Sequence, residues 1–389
     1  MALCLANSLL ARKDFCPYDQ LVRYKWWYQL GYMSSTGECF DIGNATRDSI
    51  ETFCRRQERL MKKENIAEAD IDYLDDPQLL KDFNVKCSQS GVAGNGALMR
   101  LAPVPLFFFR YPAIAVEYSG ISGEITHGDI KAYDACRYYA ALIVGVFQGI
   151  SKDQLLDRSF CSKHKDWFSG KPLCPEIQRI ADGSFKRERG YDDGIRGKGY
   201  IVNALEAALW AFWSDNNSFE KGALAAVNLG DDTDTTAAIY GQLAGALYGY
   251  RKLRGNWLKY VYAHEFMLNL SKWIAFEGEN WKSEKDRSLS SDATSYQAAT
   301  NAPYNSNQYQ GDTNPTGRAQ GTNKPRESQR RNDDTRSSDY TSGQNLALQT
   351  LERIPSANYA GHNSGYGKKN NFKITMILII FFFKIILHL

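Results

Sequence analysis

The sequence contains no CxxC pair, although it holds eight cysteines, all of them between Cys4 and Cys174. Zinc ribbons, zinc fingers and thioredoxin-like redox sites need cysteines paired at that spacing, so those classes are excluded. Reduced thiols, and with them a cytoplasmic setting, are the expectation. A P-loop, a GxSxG elbow and an HExxH helix are also missing. Their absence removes the commonest phosphate-cradling, serine-nucleophile and zinc-peptidase routes. Excess charge is lacking too: the formal net charge is only +3 over 389 residues, with no arginine-rich helix. No nucleic-acid partner is expected from such a balance. The opening MALCLANSLLARK has no basic residue ahead of its apolar stretch, and Asn7 and Ser8 interrupt it. It does not read as a secretory signal.

What is present is ordinary globular material, 43% hydrophobic and 23% charged, in a chain long enough to bury a sizeable core. Up to about Arg287 the apolar residues recur at helical spacing. The clearest runs are AYDACRYYAALIVGVF (Ala132 to Phe147) and VNALEAALWAFW (Val202 to Trp213);. In TAAIYGQLAGALYGY, Gly241, Gly245 and Gly249 fall four apart, a spacing that puts them on one helix face and allows close approach of another backbone;. No alternating β-branched run is long enough for a sheet. The fold class expected for residues 1–287 is all-α.

The chain then changes character twice. From Ser290 to Asn345 there is no Val, Ile, Leu, Met, Phe, Trp or Cys. Such a stretch cannot bury enough apolar surface to offset its ordering entropy, and 288–371 reads as a disordered low-complexity linker. The final segment, 372–389, carries an apolar run from Ile374 to Phe383, then Lys384, then IILHL. A spanning helix needs about 20 apolar residues. The run is short for a transmembrane helix, and two alternatives stay open: a membrane tail anchor on a cytoplasmic protein, or a stretch of chance hydrophobic sequence.

Three segments carry chemistry. In NLGDDTDTTAAIYG (Asn228 to Gly241) a turn led by Gly230 would bring Asp232, Asp234 and Thr235 to the entrance of the next helix. Oxygen donors of this kind suit a hard cation such as Mg²⁺, but the same residues also suit helix capping. In GVAGNGALMRLAPVPLFF (Gly91 to Phe108), Gly94, Asn95 and Gly96 read as a flexible turn feeding a short ALMRL helix that Pro103 and Pro105 end. Such a turn can offer free N–H groups to a phosphate, or be only a turn. In ITHGD (Ile125 to Asp129), His127 precedes the long apolar helix and is either a ligand contact or a structural histidine. His164, His264, His362 and His388 show no partnering pattern.

In this order, and with SSTGECFDIGNATR (Ser34 to Arg47) ahead of them, these segments resemble the ADP-ribosylglycohydrolase family, which includes dinitrogenase reductase-activating glycohydrolases. The similarity runs from Met1 to about Arg287, and AVNLGDDTDTTAAIYGQLAGALYG is its most specific piece. The resemblance implies an all-α domain that binds ADP-ribose over two Mg²⁺ ions and cleaves the glycosidic bond to a protein side chain or small molecule. By position, Asp232, Asp234 and Thr235 match the family's C-terminal metal ligands. Gly94, Asn95, Gly96 and Ala97 match its ADP-ribose-binding loop, and His127 matches the histidine of its substrate-contacting TH motif. The expected partner is ADP-ribose or an ADP-ribosylated protein, on a monomer.

The family also carries an N-terminal TDDT-type acidic motif with the remaining metal ligands and an acid/base carboxylate. That motif falls ahead of Met1, so no residue here takes the catalytic role, and the expectation is a reading frame that extends upstream. Glu38 and Asp41 belong to a separate family segment and do not replace it. The alternative is a catalytically inactive ADP-ribose-binding or structural, crystallin-like relative.

Overall fold

The long apolar helix anticipated from Ala132 to Phe147 is present and largely buried. A computed structural model describes residues 1–287. The 288–371 linker and the 372–389 hydrophobic tail lie outside the described residues. Nine helices of ten residues or more are described. They are α1 (Ala2–Arg12), α2 (Pro17–Leu30), α3 (Asn44–Glu64), α4 (Pro112–Glu124) and α5 (Ile130–Phe147). After a stretch of short helical turns come α6 (Ile201–Ser214), α7 (Phe219–Asn228), α8 (Thr233–Tyr248) and α9 (His264–Asn280). Among the described residues the only β-pairing is an isolated bridge between Gly94 and Tyr200. The all-α expectation is met.

Chain punctuation follows local chemistry. Pro17 opens α2, where its missing N–H costs nothing, and Gly31 closes it in the left-handed conformation at φ 66°;. Asp129 caps α5 by accepting the Lys131 N–H at 2.8 Å, and Ser218 caps α7 by accepting from Lys221 at 3.3 Å;. One expectation is corrected here. Pro103 does not end the ALMRL helix, which spans only Gly96–Met99; it opens a second short helix, Pro103–Phe107. Proline is well suited to a first helical turn because its fixed φ is already helical.

Helix α5 is buried along most of its length, from Asp134 through Gly145, and it packs against α4, α6 and α8. Fully burying a side chain such as Leu142 or Ile143 is worth about 1.5–3 kcal/mol;. Glycines set the closest approaches. A Cβ on Gly120 of α4 would lie 2.6 Å from the Tyr133 ring of α5, and one on Gly222 of α7 would lie 2.3 Å from the Tyr240 hydroxyl of α8. The anticipated glycine stripe on α8 divides in two: Gly241 and Gly245 are buried within the helix, whereas Gly249 ends it at φ 76°.

Residues 1–281 belong to one compact unit. Lys282 begins a second, of which the described part is a helical start where Ser283 Oγ accepts the Asp286 N–H at 3.2 Å. No described helix is long and apolar enough to cross a membrane.

Candidate functional site

The turn into α8 is tight because two consecutive residues, Gly230 at φ 86° and Asp231 at φ 59°, are left-handed. Gly230 takes this conformation freely, and aspartate is among the few other residues that tolerate it. The turn delivers Asp232 to the N-cap position of α8, with Asp234 and Thr235 in the first turn. Asp232 and Asp234 are half-buried and Thr235 is buried.

Asp232 occupies the cap position, yet its carboxylate makes no capping hydrogen bond. Instead Oδ2 accepts from Asn95 Nδ2 at 2.7 Å, across 137 residues of sequence. Burial opposes ionisation of Asp232, but hydrogen bonding, led by the Asn95 amide, outweighs it and holds the carboxyl below its usual value;. The main chain is pinned as well, with the Asp232 N–H donating to Gly197 O at 2.7 Å and Thr236 Oγ1 donating to Asp232 O at 2.8 Å.

The glycine loop comes to the same place. Asn95 donates its N–H to Gly199 O at 3.0 Å, and Ile201 donates to Ala93 O at 3.0 Å. These bonds hold the loop extended before it turns into the single-turn helix that contains Ala97. The chain turns at Asn95 into the short helix, as expected, but Gly94 and Gly96 do not have positive φ, so their backbone does not demand glycine. Space is tight behind Gly94 and ordinary behind Gly96. A Cβ on Gly94 would sit 3.2 Å from His127 Nε2, and one on Gly96 would sit 3.5 Å from both Nε2 and Cε1 of that ring.

His127 therefore stands directly behind the loop. It is 2% exposed, and burial first and the Arg100 charge second push its pKa down to about 3, so the ring is neutral;. Nδ1 lies 2.8 Å from Thr126 Oγ1. Gly94, Asn95, Gly96 and His127 are thus brought together, and Asn95 joins them to Asp232.

Two contributors were not apparent from sequence. Segment 194–200 runs between the glycine loop and the α8 turn and supplies the carbonyls that anchor both. Its signal was the glycine density of GIRGKGY: a Cβ on Gly197 would lie 2.3 Å from Thr236 Oγ1. Arg196 in that segment stacks over Tyr191, its guanidinium carbon 3.5 Å from the ring centroid. The other contributor is Arg100, which is fully buried and bonded to Thr126 Oγ1 at 2.6 Å. Segment 34–47 reaches the site through Thr46, whose Oγ1 lies 3.5 Å from the Cβ position of Gly96.

Chemically, the α8 turn gathers two carboxylates and a hydroxyl, donors that suit a hard divalent cation. Among the described residues no group of three or more His, Cys, Asp or Glu side chains is poised around one metal position. The loop side offers backbone N–H groups and an imidazole edge, which suit an anion or hydroxyl-bearing ligand.

Comparison with known proteins points to one family. A family model described as ADP-ribosylglycohydrolase matches residues 1–284. The ADP-ribosylarginine hydrolase Tri1 of Pseudomonas putida (strain GB-1) is 35% identical over 264 residues, covering 67% of this chain and 60% of the relative. The ADP-ribosylarginine hydrolase Tri1 of Serratia proteamaculans (strain 568) is 31% identical over 279 residues, covering 71% of this chain and 65% of the relative. The chain therefore spans 60–65% of the length of these relatives. A solved structure titled ADP-ribosylglycohydrolase-related protein complex superposes with a TM-score of 0.53 at 33% identity, over 71% of this chain and 79% of the other.

Proposed function

Because the chain belongs to the ADP-ribosylglycohydrolase family, we propose that it hydrolyses the glycosidic bond between ADP-ribose and a protein side chain, arginine in the first instance. The choice of arginine is supported by the two ADP-ribosylarginine hydrolases it resembles. The observation that carries the reading is the Asn95–Asp232 hydrogen bond. It draws the loop assigned to ADP-ribose against the acids assigned to metal, as a reaction at the ribose end of the ligand requires.

Asp232, Asp234 and Thr235 would hold a divalent cation, Mg²⁺ by the family's pattern. When bound, such a cation supplies charge stabilisation and orients the ribose hydroxyls and a water for attack at the anomeric carbon. The protein's own contribution is positioning. Backbone N–H groups at Gly96 and Ala97 face the pyrophosphate, and Asn95 spans loop and carboxylate, so a ligand seated on one is fixed relative to the other. His127, neutral and buried behind the loop, contacts the ligand through its Nε2 edge and excludes water there.

The test is release of free ADP-ribose from an arginine-ADP-ribosylated protein by the full chain, with and without MgCl₂. Release that stops on adding EDTA supports the reading. Binding of ADP-ribose with no release would replace the enzyme by the ADP-ribose-binding alternative.

A further inference from the structure

Arg100 is 1% exposed, and its hydrogen-bond partners among the described residues include no carboxylate. They are Tyr24 Oη at 3.1 Å, Gly96 O at 3.3 Å, Ser122 O at 3.0 Å and Thr126 Oγ1 at 2.6 Å. A guanidinium can only donate, so Thr126 Oγ1 is the acceptor in the last of these bonds. The hydroxyl keeps one proton of its own to place. Its other neighbour is His127 Nδ1 at 2.8 Å, and that nitrogen can take the proton only if it is bare. A neutral imidazole with a bare Nδ1 carries its hydrogen on Nε2. Nε2 is the ring atom nearest the Cβ position of Gly94, at 3.2 Å, and it has no hydrogen-bond partner among the described residues.

We propose that Arg100 and Thr126 are positioning residues that hold His127 in its Nε2–H form, so that the imidazole presents the glycine loop with a hydrogen-bond donor and not with a base. The chain of donation runs in one direction, from the guanidinium to the hydroxyl, from the hydroxyl to Nδ1, and from Nε2–H outward. The buried positive charge reinforces it by disfavouring a second proton on the ring. Resting on the function proposed above, this assigns His127 to an oxygen of ADP-ribose, phosphate or hydroxyl, and removes it from the candidates for general base.

The test is long-range ¹H–¹⁵N correlation NMR of the full chain labelled with ¹⁵N-histidine, with His127 assigned by loss of its signals in His127→Gln. The expected result is a protonated Nε2 and a bare Nδ1. Thr126→Val, which keeps the volume and removes the hydroxyl, is expected to shift the ring to the other tautomer or a mixture. It should also weaken ADP-ribose binding about five- to tenfold, the size of one lost hydrogen bond. Thr126→Ser should restore both. A proton on Nδ1 in the unmutated protein overturns the proposal without reference to any variant, and so does an unchanged tautomer in Thr126→Val. The expected tautomer pattern in a protein that binds no ADP-ribose upholds the lock and instead refutes the functional reading.

Discussion

Two guanidinium groups, Arg100 and Arg137, are buried to the same degree, each 1% exposed, but they are compensated in opposite ways. Arg137 pairs with Asp134 at 2.9 Å on its own helix, α5, and donates to Phe168 O at 2.7 Å and Lys171 O at 3.3 Å. It ties the chain around residue 170 to the core, and its charge is neutralised on the spot. Arg100 meets hydroxyls, carbonyls and the face of the Tyr24 ring but no carboxylate, and it sits beneath the glycine loop. A buried charge without a counter-ion is costly. Where the structure accepts that cost, the field acts on the neighbouring His127. The paired charge belongs to the packing of α5, and the unpaired one lies beside the candidate site.

The largest expected effect breaks the paired half of this comparison. Asp134→Ala leaves Arg137 buried without a counter-ion, and unfolding in urea should show a loss of about 3–5 kcal/mol with ADP-ribose affinity unchanged in the folded fraction. If stability drops by less than about 1 kcal/mol, the pair is not the anchor described. Next comes the site itself. Asp232→Ala should lower cation-dependent release of ADP-ribose at least about 100-fold, roughly 2.7 kcal/mol, while the melting temperature stays close to that of the unmutated protein. Unchanged turnover would remove Asp232 from the metal set.

The pH dependence sharpens the comparison from the unpaired side. His127 is held neutral in the fold at a pKa of about 3, whereas in the unfolded chain it takes up a proton below about 6.5. The unfolded state therefore binds more protons as the pH falls, and the contribution to stability, whole above about pH 6.5, is lost progressively towards pH 3. Between pH 7 and 4.5 the stability of the unmutated protein should fall by about 2 kcal/mol more than that of His127→Gln. Equal pH slopes for the two proteins would show that the ring is not held neutral. The smallest effect is a control on the surface. Glu124→Gln removes the exposed Lys86–Glu124 pair at 2.8 Å, and a change above about 1 kcal/mol in urea unfolding would be unexpected.

Much of the architecture was legible in sequence because it is local. The apolar spacing of Ala132 to Phe147 and Val202 to Trp213 specifies a helix face wherever the chain goes, and both became helices, α5 and α6, within a residue or two of those limits. The reading was less sure where one residue type serves several purposes. Pro103 reads equally as a helix end or a helix start, and the structure uses it as a start. Gly94 reads as a turn residue, but the room for a side chain there is limited by a histidine more than thirty residues along the chain.

The sequence by itself determined the helical class, the residue types of the candidate site and the order of its motifs, since periodicity and motif spacing are properties of neighbouring residues. Only the tertiary structure decided that Asp232 turns away from capping its own helix to meet Asn95. It also decided that segment 194–200 lies between the two motifs, and that Arg100 is buried behind His127 without a counter-ion. The physical reason is the same for all three. Hydrogen-bond direction and charge compensation depend on which groups are left facing one another after the apolar faces are buried, and no local pattern records that outcome.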